Sequence, residues 1–219
     1  MFYNHARFIL TMFGIVIGLT GYYLGTLCQV SYERSLWLGT TLTFAIGGFV
    51  IGGLIQKLSI SSHTDYLTGL WNRRYFYFKL GKEGVRTTRG KNQVCVAMID
   101  VDGFKTVNDM YGHTIGDVLL SDIAAILKKD TRSEDVVIRW GGDEFAVIFA
   151  QTSLKNALEV MERIRHKVEG TFSSYHLTIS TGIISLEQDQ DLKDLLTKAD
   201  QALYKAKEQK NAVITVTDL

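Results

Sequence analysis

Val136-Val137-Ile138-Arg139-Trp140-Gly141-Gly142-Asp143-Glu144-Phe145-Ala146-Val147-Ile148-Phe149 is the stretch whose reading decides the fold of this chain. Apolar residues run on both sides of a Gly-Gly pair, and glycine reaches the positive φ angles of tight hairpin turns. The stretch therefore predicts a β-hairpin with Asp143 and Glu144 at its tip. Taken alone, such a tip is equally well a solvated charged turn. Adjacent side chains of an extended strand face opposite ways, so only the turn itself brings both carboxylates to one place.

A second acidic segment changes that balance. Val94-Cys95-Val96-Ala97-Met98-Ile99 has the length of a buried strand and ends in Asp100, and Phe104-Lys105-Thr106-Val107-Asn108-Asp109 reads as the start of a short helix. A carboxylate at a strand end, followed by Gly103 and a helix N-terminus, makes a cation site beside backbone N–H groups suited to phosphate. Mg²⁺ takes such sites, using one or two carboxylates plus substrate phosphate oxygens. An EF-hand loop would need an oxygen ligand where this chain has Phe104, so calcium is set aside.

Both segments, in this order, resemble the diguanylate cyclase family, which is named for its Gly-Gly-Asp-Glu-Phe signature. The likeness runs from about Asp65 to the C-terminus. Asp65-Tyr66-Leu67-Thr68-Gly69-Leu70-Trp71-Asn72-Arg73-Arg74 is similar to the family's opening motif, and Asp100 to Asp117, with Gly112-His113 and Gly116-Asp117, to its metal and guanine region. Ser180-Thr181-Gly182, and Ala199-Asp200 with Leu203-Tyr204-Lys205-Ala206-Lys207, are similar to its later strand and last helix.

Composition agrees with an apolar region joined to one domain of ordinary size. The chain has 219 residues, 46% of them hydrophobic, and a formal charge of +1, which gives no reason to expect nucleic acid as a partner. Its two cysteines, Cys28 and Cys95, fall in an apolar segment and a predicted buried strand, so no disulfide framework is expected and a reduced cytoplasmic setting fits. Phe8 to Val30 and Leu36 to Ile55 are uncharged and each long enough to cross a bilayer, which takes roughly 20 residues. Residues 1–60 therefore read as a transmembrane hairpin with helices at about 8–30 and 36–55, and 61–219 as the cyclase domain. The first span lacks a cleavage site before a polar region and is followed by a second span, so it reads as retained and not as a signal peptide. Arg7 and Lys57 flank the pair in the positive-inside sense, while Arg34 in the opposite loop counts against it; the cytoplasmic substrate that the resemblance implies carries more weight, and both ends are expected in the cytoplasm. The expected location is the bacterial inner membrane, multi-pass, with the catalytic domain in the cytoplasm. Gly14 and Gly18, Gly21 and Gly25, and Gly48 and Gly52 have the spacing of close helix contacts, either within the hairpin or between two chains.

Beyond Asp65 the periodicity predicts alternating elements. Helices are expected at about 72–86, Val118–Leu127, Leu154–Val168 and Leu192–Glu208, strands at Leu177–Leu186 and Ala212–Thr217, and a polar loop at Gly84–Asn92. This order is an α/β sandwich. The resemblance implies a palm-like, ferredoxin-related βαββαβ core.

It also implies the chemistry. The 3′-hydroxyl of one GTP attacks the α-phosphorus of another, twice, giving cyclic di-GMP and two pyrophosphates, with a homodimer presenting the two nucleotides. Alignment and charge neutralisation dominate such phosphoryl transfer. The implied metal ligands for Mg²⁺ (or Mn²⁺) are Asp100, the Val101 carbonyl, Asp143 and Glu144. Asp143 or solvent takes the hydroxyl proton, and Lys105 joins Asp143 and Glu144 in the catalytic set. Asn108 and Asp117 match the guanine contacts, since a carboxylate accepts from N1–H and the exocyclic amine, which adenine lacks as a pair. His113 is placed near ribose or base, or is a structural hydrogen-bonding residue; Lys207 and Arg139 complete the substrate set. Arg132-Ser133-Glu134-Asp135 lies where the family's inhibitory product site begins, and Arg165 in the following helix is assigned to complete it.

One departure stands out. The family commonly has Ala-Lys, two residues, then Gly-Arg-Asn; this chain reads Ala206-Lys207-Glu208-Gln209-Lys210-Asn211, one residue shorter and without the arginine. A lysine at Lys210 supplies a point charge without arginine's planar fork, so weaker GTP binding is expected. A cyclic di-GMP receptor, a structural membrane module and a cyclase for other nucleotides are the competing function classes. A receptor would have lost part of the set Asp100, Asp143 and Glu144; a structural module would need none of it; Asn108 and Asp117 argue against another nucleotide.

Overall fold

The computed structural model describes residues 5–27, 34–61, 63–87, 93–186 and 191–215. The chain divides into two compact units, with the boundary between Ser62 and His63.

In the first unit the two apolar stretches form helices α1 (Ala6–Leu27) and α2 (Arg34–Ser61). Ala6–Leu27 and Leu36–Ile55 are long and apolar enough to cross a membrane. The helices meet through their glycines. A methyl group at Gly14 would strike the Phe44 carbonyl, at Gly18 the Thr41 side chain, at Gly48 the Leu10 carbonyl and at Gly52 the Arg7 backbone, while Gly21 and Gly25 lie under the Trp37 ring. The small faces seen in the sequence are thus occupied within the pair, and close backbone approach is what they provide. Cys28 and the polar link at 31–33 lie outside the described residues.

The second unit alternates strands and helices: β1 (Trp71–Asn72), α3 (Arg73–Thr87), β2 (Val94–Asp102), α4 (Phe104–Tyr111), α5 (His113–Asp130), β3 (Val136–Gly141), β4 (Glu144–Phe149), α6 (Leu154–Thr171), β5 (Thr178–Leu186), α7 (Leu192–Gln209) and β6 (Val213–Thr215). They build one sheet in the order β1-β3-β4-β2-β5-β6. β2 is central, antiparallel to β4 and β5, and β1 and β6 add parallel edges beside β3 and β5. The four inner strands with their crossover helices are the expected βαββαβ core.

Strand parity sorts the core into two layers, because alternate side chains of a strand face opposite sides. Cys95, Ala97, Ile99 and Val101 of β2 and Phe145, Val147 and Phe149 of β4 pack with α5 and α6 through Leu120, Ile123, Leu127, Met161 and Ile164. Val94, Val96 and Met98, with Ala146 and Ile148, pack against α3 and α7 through Phe76, Leu80, Leu195 and Leu203. α7 lies so close to β5 that a Cβ on Gly182 would overlap the Leu203 amide and the Ala199 carbonyl, which accounts for glycine at the end of Ser180-Thr181-Gly182.

Several boundaries differ from the sequence reading. α5 begins at His113, directly after Gly112, although its apolar pattern starts at Val118. α3 runs through Gly84 to Thr87, shortening the polar loop, whose residues 88–92 lie outside the described set. The last strand is described as Val213–Thr215. β1 is two residues long, too short for periodicity to reveal.

Candidate active site

The parity that builds the core also assembles the site. Asp100 continues the series Val94, Val96, Met98 on β2, and Glu144 continues Ala146 and Ile148 on β4. The two are direct cross-strand partners, so both carboxylates emerge on the α7 face at the end of the sheet. Asp100 is 6% exposed. From α7, Lys207 Nζ donates to Asp100 Oδ2 at 2.6 Å. Burial holds the Asp100 carboxyl above its ordinary range, with Asp143 and Asp102 adding repulsion and Lys207 opposing it. Glu144 is raised as well, first by burial and then by the Asp100 charge. Burial works against the Lys207 ammonium, yet Asp100, Glu144 and Asp143 together lift its pKa.

Gly142 and Asp143 form the two-residue connection between β3 and β4, and Gly142 takes a left-handed φ of 55°. The Val101 amide donates to the Asp143 carbonyl at 3.2 Å, pinning the tip to the end of β2. The turn thereby brings Asp143 toward the two strand carboxylates, near enough to repel both. Arg139, assigned to substrate by resemblance, is tied to the turn in the structure. Its Nε and Nη2 donate to the Gly142 carbonyl at 3.1 and 2.8 Å, and its Nη1 to Asp65 Oδ1 at 3.1 Å. Burial opposes ionisation of Asp65, but bonds from the Thr68 amide and hydroxyl and from Arg139 outweigh it and lower its pKa.

Among the described residues no three His, Cys, Asp or Glu side chains converge closely enough to hold a metal ion unaided. What converges is a set of hard oxygen donors with an excess of negative charge, in which Lys207 is the neutralising cation. That set fits a magnesium-like ion taking its remaining ligands from a nucleotide.

On the other layer, α4 starts at Phe104 after Gly103, so Lys105 lies in its first turn, exposed, next to amides that a helix leaves unpaired. Asn108 packs against Gly116 on α5, where a Cβ would overlap Asn108 Oδ1, and that oxygen is buried without a protein partner. His113 and Asp117 are exposed on the same helix. A buried orphan acceptor beside an exposed carboxylate is the kind of edge that a base with paired donors satisfies.

Arg132 and Asp135 close a tight turn. The Arg132 amide donates to Asp135 Oδ2 at 3.0 Å and the Ala150 amide to Oδ1 at 3.3 Å, while burial raises the Asp135 pKa. Beside them is a cavity of about 260 Å³ that Asn156, Glu159, Val160 and Arg163 of α6 also line. The cavity meets β4 at Phe149, the end away from Glu144 and about 17 Å along the strand. Arg165 is not on its wall. It pairs with Glu162 and Glu169 at 2.7 and 3.4 Å, and Arg163 is the arginine that faces the cavity. Two residues along a helix are about 200° apart, so the two arginines cannot share a face. The spacing of Asn156, Glu159, Val160 and Arg163 on one stripe was the signal that would have found it. Sequence reasoning also missed Asp102, which accepts from Thr178 Oγ1 at 2.8 Å, Ser180 Oγ at 2.8 Å and the Asn211 amide at 3.0 Å.

The fold and this cluster define an α/β palm with carboxylates at the end of its central strands. The family described as "Diguanylate cyclase, GGDEF domain" matches residues 62–212. The chain is 41% identical over 160 residues to the response regulator PleD of Caulobacter vibrioides, covering 69% of this chain and 35% of PleD. It is 38% identical over 164 residues to diguanylate cyclase A of Treponema denticola, covering 70% and 44% of the two chains. It superposes on the GGDEF domain of DgcB from Caulobacter crescentus, solved in complex with c-di-GMP, with a TM-score of 0.66 at 29% identity, covering 71% of this chain and 96% of that one. This chain belongs to the GGDEF diguanylate cyclase family. It spans less than half the length of these two curated relatives.

Proposed function

We propose that this chain is a membrane-anchored diguanylate cyclase that condenses two GTP into cyclic di-GMP and two pyrophosphates. The observation that carries this reading is the cross-strand pair Asp100 and Glu144, on one sheet face, with Lys207 bonded to the first. In this reading Asp100, Glu144, the Val101 carbonyl and Asp143 hold Mg²⁺ or Mn²⁺, which supplies charge neutralisation for the oxygens that gain negative charge. Lys105 and Lys207 bind phosphate oxygens, and Asn108 and Asp117 select guanine. His113 sits beside them at the start of α5. Arg139 acts by holding the hairpin tip. Asp143 or solvent takes the proton of the attacking hydroxyl. Each chain carries one such set, and the cyclic product needs two 3′-hydroxyls activated. Catalysis therefore takes place between two chains, each bringing one GTP.

The two apolar helices support a bilayer anchor in the bacterial inner membrane, with the catalytic domain in the cytoplasm where GTP is found. Arg132, Asp135 and Arg163 support product inhibition: two guanidinium groups beside a recess suit the phosphates and guanines of cyclic di-GMP. The test is direct. The purified chain with GTP and Mg²⁺ forms cyclic di-GMP, Asp143→Ala does not, and Arg132→Ala with Arg163→Ala removes inhibition by added product. No product from the unaltered chain at any protein concentration would contradict the reading.

A further inference from the structure

Asp102 lies two residues past Asp100 on β2, on the same sheet face, and gathers donors from two other elements. From β5 come the Thr178 hydroxyl at 2.8 Å and the Ser180 hydroxyl at 2.8 and 3.0 Å from the two carboxylate oxygens. From the turn after α7 comes the Asn211 backbone amide at 3.0 Å. That turn is unusual in a second, independent way. Lys210 has φ 58° and ψ 154°, a region that side-chain-bearing residues rarely enter, and Asn211 follows at φ 48°. Two successive non-glycine residues in left-handed backbone persist only where their surroundings hold them there. The holds are visible: Lys210 N–H donates to the Ala206 carbonyl at 2.8 Å, Asn211 N–H to Asp102, and Asn211 Nδ2 to Glu169 Oε1 of α6 at 2.8 Å. Three residues before Lys210 is Lys207, whose ammonium meets Asp100.

We infer that Asp102 is a positioning residue. By gripping the Asn211 amide it fixes the strained turn after α7, and that turn sets where Lys207 presents its ammonium beside Asp100. A lysine side chain has several rotatable bonds, so its reach to a phosphate depends on where the helix end is anchored. The carboxylate of Asp102 is spent on the protein's own donors and leaves the cation to Asp100 and Glu144. The conformation of Lys210 also locates the departure from the family pattern: this lysine occupies the backbone place suited to glycine, so the residue the chain lacks is the arginine.

This inference rests on the proposed cyclase activity, and the experiment separates the two. KM and kcat for GTP are measured on the full chain and on Asp102→Ala, Asp102→Asn, Lys207→Ala and the double variant Asp102→Ala with Lys207→Ala. Exchange of the Asn211 amide is followed in parallel. Asp102→Ala should raise KM by about tenfold, as expected for losing a charged hydrogen bond that orders the site, with kcat at saturation within about twofold. Asn211 exchange should accelerate. The double variant should be no worse in KM than Lys207→Ala, since Asp102 acts through that lysine. Adding Lys210→Gly to Asp102→Ala should recover part of the KM, because glycine takes the turn conformation without strain. Unchanged KM in both Asp102 variants, full additivity with Lys207→Ala, or kcat falling as steeply as KM rises would overturn the inference. An unaltered chain that neither binds nor turns over GTP would instead remove the proposed function.

Discussion

The helix pair and the α/β domain use the same apolar residue types in opposite directions. In the domain, large apolar side chains such as Phe76, Phe145, Phe149 and Ile148 are fully buried. In the helix pair, Phe8, Leu19 and Leu38 point outward at 69%, 59% and 72% exposure, and glycines fill the seam. Water drives apolar groups inward, whereas a medium as apolar as leucine offers no such gain and leaves backbone packing to hold helices together. The direction in which a hydrophobic pattern faces is therefore informative about the medium around it, and the outward-facing pattern of α1 and α2 supports the proposed bilayer anchor.

The sharpest way to break that contrast is to truncate one phenylalanine in each region. Phe145→Ala, at the meeting of β4 with α5 and α6, should cost the domain about 4 kcal/mol, read as lost stability in denaturant. Phe8→Ala should leave domain unfolding within about 0.5 kcal/mol. A comparable loss from both would mean that Phe8 is packed as a core residue. Next in size is a place where the domain borrows the seam's device. Gly182→Ala drives a methyl into the α7 backbone and should cost about 2 kcal/mol; Gly48→Ala should separate α1 from α2 and leave the domain's melting unchanged.

A smaller effect tests the turn. Asp65→Asn removes the charge that receives Arg139 and Thr68, and should lower stability by about 1–2 kcal/mol near neutral pH. The sign with pH follows from the lowered pKa of Asp65. Its contribution is present above the carboxyl's unfolded value and is lost as pH falls through the folded one, so Asp65→Asn and the unaltered chain should converge in acid. Asp100 and Glu144 run the other way. Their raised pKa values favour the protonated form in the folded state, a contribution complete below the unfolded value and lost as pH rises through the folded one. The smallest expected effect follows: Mg²⁺ should raise the Tm of the domain more near pH 8 than in mild acid, where protons compete for the same oxygens. Equal shifts at both would place the cation elsewhere.

Much of this was legible in the sequence because it depends on local pattern. Gly-Gly between apolar runs fixed the hairpin, an apolar run ending in Asp100 fixed the central strand, and glycine spacing marked the helix seam. Strand parity then put Asp100 and Glu144 on one face, a consequence of register that no single segment contains. What stayed hidden needed contacts between distant elements. Arg139 was assigned to substrate, but its donors meet Asp65, 74 residues away, and the Gly142 carbonyl. Arg165 is assigned to the product site by resemblance, whereas Arg163 is the arginine of α6 that lines the recess, because motif position does not tell which side of a helix faces it. Asp102 was invisible as a partner of Asn211, which lies 109 residues on.

If the carboxylates meeting at the ends of β2 and β4 serve GTP condensation as proposed, the decisive measurement is cyclic di-GMP formation by Glu144→Gln beside the unaltered chain at equal protein and Mg²⁺. The rate should fall about a thousandfold, as for removal of a major charge-stabilising group, in a protein whose melting temperature is unchanged or higher because a burdened carboxylate has been neutralised. A folded Glu144→Gln variant that makes product at the unaltered rate would contradict it.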